Sequence, residues 1–377
     1  MGERLAGLSN AGQLEKITIL ISSAGSRAVE AILASLACVR GQVRWVGTNS
    51  VADFACLDEL DEAYLVPLTQ DAPAFMQRMR NIVEAERPDV ILNGRDEEVA
   101  LLAVLAKETG CLFLGPPPLL APVFSDKYQT YQFALNHGLP FTETAASSEE
   151  LDSLCQKQGF PLIAKPRRGG HASKDVFFVF NRLQAEHVLA NGAFVFQPYI
   201  GPTEMLVDMS EWGQSWGMPW IWNPMNVYYM LDFVVGSNAK AVSWCVTRAE
   251  RSGSVIERLE VLEDEALEAL VHRHIDVLGQ CGHCGPVNVQ GYLDRAGKFC
   301  GFEWNARFVG SVDGYALLGK NLVLDALVDR FPFLTAAPLA EDAQRVVFRP
   351  MRYKAVPLAL IRALELHGRV VVEASGG

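Results

Sequence analysis

The sequence is short of several features that would assign its class at once. No apolar run approaches the roughly 18 residues a transmembrane helix needs, so no helical span is expected. No run of Lys or Arg occurs, and the formal net charge is -11. Nucleic acid and anionic membrane are therefore not expected as main partners, and a negative substrate has to be met by local basic residues. The opening stretch MGERLAGLSNAGQLEKITIL carries acidic residues and no signal-peptide apolar segment. Ala6 stands where a myristoylation signal wants Ser or Thr. A cytoplasmic protein with its eight scattered cysteines reduced is the expectation. Cys281-Gly-His-Cys284 is half of a zinc pattern, without a second pair at suitable spacing. The first strand is followed by Ser23-Ala24-Gly25-Ser26 rather than G-x-G-x-x-G, so NAD is not proposed. No Walker loop is present either.

What is there suffices for two or three domains, since half of the 377 residues are hydrophobic. Up to about residue 114, short apolar runs alternate with amphipathic stretches: Lys16–Ser22, then Arg27–Val39, then Val43–Gly47, Ala63–Val66, Phe75–Glu86, Val90–Leu92, Glu98–Thr109 and Leu112–Leu114. That spacing predicts an α/β, doubly wound parallel sheet whose ligands bind beyond the strand C-termini. Ser22–Ser26 and Arg95–Glu97 fall there; Arg95-Asp96-Glu97 would either line a cleft or cap the following helix, capping being the expected role. Pro116-Pro117-Pro118 marks a candidate boundary, after which Asp126 is a candidate N-cap for a helix over Tyr128–His137.

The most informative stretch is Pro286–Ser311. Val287–Leu293 and Phe299–Ala306 read as a β-hairpin about Ala296–Gly297. In that register Gln290 faces Glu303 and Asn288 faces Asn305, all on one face; Val287, Val289, Phe302 and Trp304 take the other. One carboxylate among amide oxygens suits a hard cation such as Mg²⁺. The same alternation also fits an amphipathic hairpin with a solvated polar face. Arg307 falls on the polar side and could hold an anion. Between the strands Phe160–Lys165 and Val176–Phe180 lies a loop rich in glycine, serine and cations, including Ser173 and Lys174. It could cradle phosphate or be a solvated basic loop. Pro198 interrupts the ladder of Phe194–Ile200, freeing backbone groups of the kind an adenine edge needs. The window 211–232 is rich in Trp and Tyr, as a hydrophobic insertion or as the wall of a substrate pocket. Tyr229–Val235 and Ala239–Arg248 read as another hairpin, Asp264–Leu278 and Tyr315–Asp329 as helices.

Taken together the motifs resemble the ATP-grasp superfamily over about residues 16 to 332, in particular the group of the carbamoyl-phosphate synthase large subunit and biotin carboxylase. The matching pieces are Ser125-Asp126-Lys127 with Gly138-Leu139-Pro140, the strand ending Lys165-Pro166, Ser173-Lys174-Asp175-Val176, Phe196–Gly201, Gly285–Gln290 and Phe302–Arg307. The resemblance implies a pre-ATP-grasp domain over residues 1–117. It implies an ATP-grasp subdomain with the phosphate loop over 118–195, a second with the metal site over 196–333, and a tail over 334–377 packing on the core. It also implies roles. Lys127 and Lys165 would contact ATP phosphates, with the loop through Ser173 and Lys174 closing over them. Gln197 and the backbone about Tyr199 and Ile200 would take adenine, and Glu204 the ribose. Gln290, Glu303 and Asn305 would carry Mg²⁺, or Mn²⁺ in its place, and Arg307 would grip the carboxylate or acyl phosphate. The sequence departs from the family at Gln197, where an acid is usual, at Asp175, where glycine is usual, and after the next hairpin, where only Arg248 of an R-x-R remains.

The activity so implied is ATP-dependent carboxylate–amine ligation through an acyl phosphate, with release of ADP and phosphate. The alternatives are a bicarbonate- or carbamate-activating enzyme like carbamoyl-phosphate synthase, and a non-catalytic ATP-binding subunit. The expected partners are a small carboxylate and a small amine; a homodimer stays open.

Overall fold

The computed structural model describes residues 16–169, 175–190, 192–200, 218–219, 227–252, 255–294, 296–336, 346–349 and 354–372. Strands β1 (Ile17–Ser22), β2 (Val43–Asn49), β3 (Glu62–Leu65), β4 (Val90–Asn93) and β5 (Leu112–Phe113) pair in parallel, with β1 between β2 and β4. Their short, largely apolar and mostly buried runs are what a sheet covered on both faces requires. Ile17, Ile19 and Ile21 pack in one cluster with Val29 and Ile32 of the helix Arg27–Ser35. Leu20 packs in the other with Phe75 and Met79 of the helix Ala72–Glu86 and Leu102 of the helix Val99–Thr109. This is the doubly wound α/β sheet the sequence predicts.

A small antiparallel sheet follows: β6 (Leu162–Pro166), β7 (Phe177–Val179), β8 (Phe194–Pro198) and β9 (Met218–Pro219), in the order β8-β6-β7-β9. Alternation gives it two apolar faces. Leu162, Ala164 and Phe196 meet Leu151 and Leu154 of the helix Ser148–Gln158. Ile163 and Phe178, with Val176, Phe180 and Tyr199, form the opposite face.

The largest antiparallel sheet holds β10 (Val227–Val235), β11 (Ala241–Ser252), β12 (Val255–Val261), β13 (Gly285–Leu293), β14 (Phe299–Asn305) and β15 (Val346–Phe348), in the order β14-β13-β10-β11-β12-β15. Leu231, Phe233, Val287 and Val289 bury one face against Val271, Ile275 and Leu278 of the helix Glu265–Gln280. Met230 and Val234 alternate to the other face and join the cluster that holds Val29 and Ile32. Finally β16 (Arg369–Val371) returns to the first sheet, antiparallel to β3.

Three elements differ from expectation. The helix expected over Tyr315–Asp329 is two, Val312–Leu317 and Leu322–Val328. Gly319 takes a φ of 83° between them, and the Asn321 side chain caps the second by accepting from the Leu324 N–H. Strand β12 was hidden by its charges, which are satisfied across the sheet: Arg258 binds both Glu250 and Glu260. The helix Ser148–Gln158, opened by a Ser147/Glu150 capping box, was also not anticipated.

Candidate active site

The polar hairpin register is as the alternation predicts: Asn288 pairs with Asn305 and Gln290 with Glu303. A β-bulge between Gln290 and Gly291 then shifts the ladder by one residue, so Gly291 pairs with Gly301. The bulge corrects one expectation. Phe302 does not join Val287, Val289 and Trp304 beneath the sheet; it lines a cleft and stacks on Tyr292, ring centroids 4.7 Å apart.

That cleft has a volume of about 480 Å³ and is bounded by all three sheets. The small sheet contributes its apolar face through Ile163, Val176 and Tyr199, together with Lys165, Gln197 and Ile200. The large sheet contributes Gln290, Glu303 and Asn305, and Arg307 follows directly after β14. The parallel sheet contributes Gly25, Ser26 and Gly94–Glu97 from the C-terminal ends of β1 and β4. Lys127 lies at the same cleft. Ser173, Lys174 and Glu204 lie outside the described residues, as does most of the aromatic window; of it, Tyr228 lines the cleft.

Several of these side chains are held in place. The Lys165 ammonium sits 4.6 Å from the Phe302 ring centroid. Burial pushes its pKa down to about 8, with Glu303 opposing and Lys127 and Arg251 adding to the drop. Asp126 caps the helix Lys127–Asn136 and also accepts from Arg167 at 2.8 Å and Arg168 at 3.2 Å. Burial alone would raise its pKa, but the Arg167, Gln129 and Arg168 donors outweigh this and hold it low. The Lys127 ammonium donates to the Gly169 carbonyl at 2.8 Å, so the start of the basic loop is fixed at both its arginines and its backbone. Gln197 is buried and donates to Thr144 at 3.1 Å and to the Phe302 carbonyl at 3.4 Å, joining the small sheet to the hairpin.

The donor set fits a hard divalent cation. Gln290 and Asn305 both donate through their amide nitrogens to Asn288 Oδ1, at 3.0 and 3.1 Å. Each is left with its carbonyl oxygen for the cleft, beside the Glu303 carboxylate. Among the described residues no three His, Cys, Asp or Glu side chains group together, so a cation here would rely on amide oxygens and on its ligand's phosphates.

Arg307 donates to Asp96 at 2.9 Å across the junction with the parallel sheet. Arg95-Asp96-Glu97 is therefore a cleft wall, the less expected of its two roles, and not a cap: no side-chain cap is made by Arg95 or Glu98 at the helices that follow. Asp96 Oδ1 is buried without a hydrogen-bond partner among the described residues. Burial raises its pKa although Arg307 opposes this.

No family model matches the sequence. Solved structures do match in fold. N5-carboxyaminoimidazole synthetase of Staphylococcus aureus, complexed with ADP, superposes with a TM-score of 0.64 at 13% identity, over 87% of this chain and 80% of that one. L-amino acid ligase from Bacillus licheniformis gives 0.61 at 15%, over 88% and 78%. Biotin carboxylase from Campylobacter jejuni, in a complex with a β,γ-ATP ligand, gives 0.58 at 16%, over 86% and 72%. The chain has the ATP-grasp fold.

Within the cleft, two arginines that line it were not singled out in the sequence. Arg251, not Arg248, is the cleft arginine of β11; Arg248 instead pairs with Glu250 and Glu260. Plain alternation along β11 puts Arg251 on the face of Thr247 and Ala249, which pair with Met230 and Tyr228, and Arg248 on the opposite face; the nearby bulge lies in β12, where Glu257 is the extra residue. Arg349 reaches the cleft from the C-terminal stretch and binds Asp313 at 2.9 Å. Asp96 was named, with lining a cleft the less expected of its two roles. Among the described residues no helix is long and apolar enough to cross a membrane.

Proposed function

We propose that the chain is an ATP-dependent carboxylate–amine ligase that forms an amide through an acyl phosphate and releases ADP and phosphate. One arrangement carries the reading. Lys165, on the small sheet, and Glu303, on the large one, face a single cleft whose small-sheet wall is otherwise apolar and suited to a flat base. Ile163, Val176 and Tyr199 would cover the adenine, and the backbone about Tyr199 and Ile200 would meet its edge. Lys127 and Lys165 would take the phosphates. A divalent cation held by Gln290, Glu303 and Asn305 would neutralise phosphate charge.

The substrate carboxylate would lie at Arg307 and attack the γ-phosphorus, giving acyl phosphate and ADP. An amine would then attack the acyl carbon and expel phosphate. Asp96, with one oxygen on Arg307 and the other buried without a partner among the described residues, would hold the ammonium of that amine and take the proton it has to lose before it attacks. Catalysis on this reading is positioning and charge neutralisation, with no covalent enzyme intermediate.

The test is ADP release with MgATP over a panel of carboxylic acids and amines, singly and in pairs, with mass detection. A product equal to acid plus amine minus water establishes the ligase. Glu303→Ala abolishes turnover on this reading; near-normal ADP production in that variant would sink the metal assignment. A solved 2-oxoglutarate carboxylase domain that also shares the fold, TM-score 0.57 at 15% identity, is described in complex with MgADP and bicarbonate. Bicarbonate therefore belongs in the panel, and ADP release with it alone would favour bicarbonate activation.

A further inference from the structure

We infer that Asp232, which is buried on β10 and does not line the cleft, is a positioning residue that decides which way the Gln290 and Asn305 amides face. The inference rests on the metal assignment proposed above for those two residues with Glu303.

The chain of contacts is complete. Asp232 pairs in register with Asn288, and both are buried, 4% and 0% exposed. Asn288 Nδ2 donates to Asp232 Oδ1 at 3.0 Å, and the Tyr315 hydroxyl donates to Asp232 Oδ2 at 2.6 Å. Both carboxylate oxygens are thus occupied as acceptors. A carboxylate offers only acceptors, so Asn288 has to present its NH₂ to Asp232 and its oxygen to the other side. That oxygen has two lone pairs, and the amide nitrogens of Gln290 and Asn305 fill them. Each of those amides then shows its oxygen, not its nitrogen, to the cleft. Asp232 lies two hydrogen bonds from the proposed ligand groups, yet once it is ionised, above the value of about 7 to which burial raises its pKa, its inability to donate sets their polarity. Outer-shell partners of this kind orient the groups that bind a metal.

The argument makes an isosteric substitution severe. In Asp232→Asn, the Tyr315 hydroxyl donates to the new amide oxygen, which leaves the new NH₂ facing Asn288. Asn288 must turn its oxygen to that NH₂ and its own NH₂ to Gln290 and Asn305. Those two turn in response and present N–H groups where a cation needs oxygen. Adding Tyr315→Phe removes the donor that imposes this reversal and allows the original polarity to return.

The experiment measures the affinity of the full chain for ADP, with and without Mn²⁺, by calorimetry. The readout is the factor by which Mn²⁺ tightens ADP binding, which requires no turnover. The expected result is a fall in that factor of roughly 10- to 100-fold in Asp232→Asn. Metal-free ADP affinity should stay unchanged, and the Asp232→Asn, Tyr315→Phe double variant should recover part of the loss. An unchanged Mn²⁺ factor in Asp232→Asn, alongside a lost factor in Glu303→Ala, overturns the inference and leaves the metal site standing. An unchanged factor in Glu303→Ala overturns both. Equal loss of ADP affinity with and without Mn²⁺ in Asp232→Asn also overturns the inference, because it marks a general structural defect.

Discussion

Lys165 should change its protonation when nucleotide binds. Its ammonium lies within the cleft against the Phe302 ring, and burial lowers its pKa from 10.5 to about 8, only partly opposed by Glu303. A drop of that size corresponds to roughly 3 kcal/mol spent on charging this group in the ligand-free protein. The signs for stability and for binding are opposite. Because the folded pKa is depressed, the unfolded chain holds a proton between about pH 8 and 10.5 that the folded chain has lost, so folding stability rises with pH in that window. Nucleotide phosphates favour the charged form, so binding restores the proton. At pH 8 about half the molecules carry a neutral Lys165, and MgATP binding should take up about 0.5 proton; at pH 7 the uptake should be about 0.1. Above pH 8 the affinity should fall by up to about tenfold per unit. The assay is titration calorimetry of MgATP in buffers of different ionisation enthalpy, for the native chain and for Lys165→Arg, which stays charged throughout. Equal proton uptake by the two proteins at pH 8 and at pH 9 would refute the reasoning, since it would mean that Lys165 does not titrate in the free cleft.

Other perturbations have equally direct readouts. Arg307→Ala should lower kcat by about 10²- to 10³-fold, because it removes a charge aimed at the developing oxyanion; steady-state kinetics should show little change in nucleotide affinity, and a loss confined to KM for ATP would contradict the assignment. Glu98 is buried, accepts from the Ser22 and Ser23 hydroxyls, and is pushed by burial up to about 7. A raised carboxyl contributes stability at low pH that is lost as pH rises through 4.5 to 7, so Glu98→Gln should gain roughly 2 kcal/mol relative to the native chain between pH 5 and pH 8 in urea unfolding. Gly285 has a φ of 138°, and a Cβ there would lie 2.5 Å from the Leu114 carbonyl carbon; Gly285→Ala should cost about 2–4 kcal/mol by thermal or urea unfolding. Phe178→Ala, in the core of the small sheet's cleft face, should cost about 3–5 kcal/mol and weaken nucleotide binding, read by unfolding and calorimetry.

What was legible in the sequence is what alternation and period carry. A strand reports its two faces through every second residue, and centring the hairpin on Ala296–Gly297 gave the pairs Asn288/Asn305 and Gln290/Glu303, although the ladder next to the turn, with Gly291 on Gly301, runs one residue out of that register. The doubly wound sheet was legible for a related reason: short, largely apolar runs alternating with amphipathic stretches at regular spacing have few other uses. Bulges defeat this reasoning. The one in β14 inserts Phe302 and so reverses the faces beyond it, which is how Phe302 moved into the cleft; Arg251 was missed for another reason, because it stands on the face opposite Arg248, the arginine the motif singled out. The β14 bulge has no local signature strong enough to compete with the regular pattern around it.

The second limit is partnership across the chain. Arg307 and Asp96 stand 211 positions apart, and Asp232 and Asn288 stand 56 apart. Each half of such a pair looks ordinary alone: an acid after a strand, an asparagine in a hairpin. An asparagine in a polar strand is equally able to show its oxygen or its nitrogen, so the motif states which residue types stand at the site but not the direction of their dipoles. Direction comes from whichever group in the network cannot reverse itself. Here that group is a buried carboxylate on a neighbouring strand, supported by a tyrosine hydroxyl from the first of the two short helices after the hairpin. The chemistry available at the cleft thus depends on residues that a reading of the cleft motifs alone has no means of selecting.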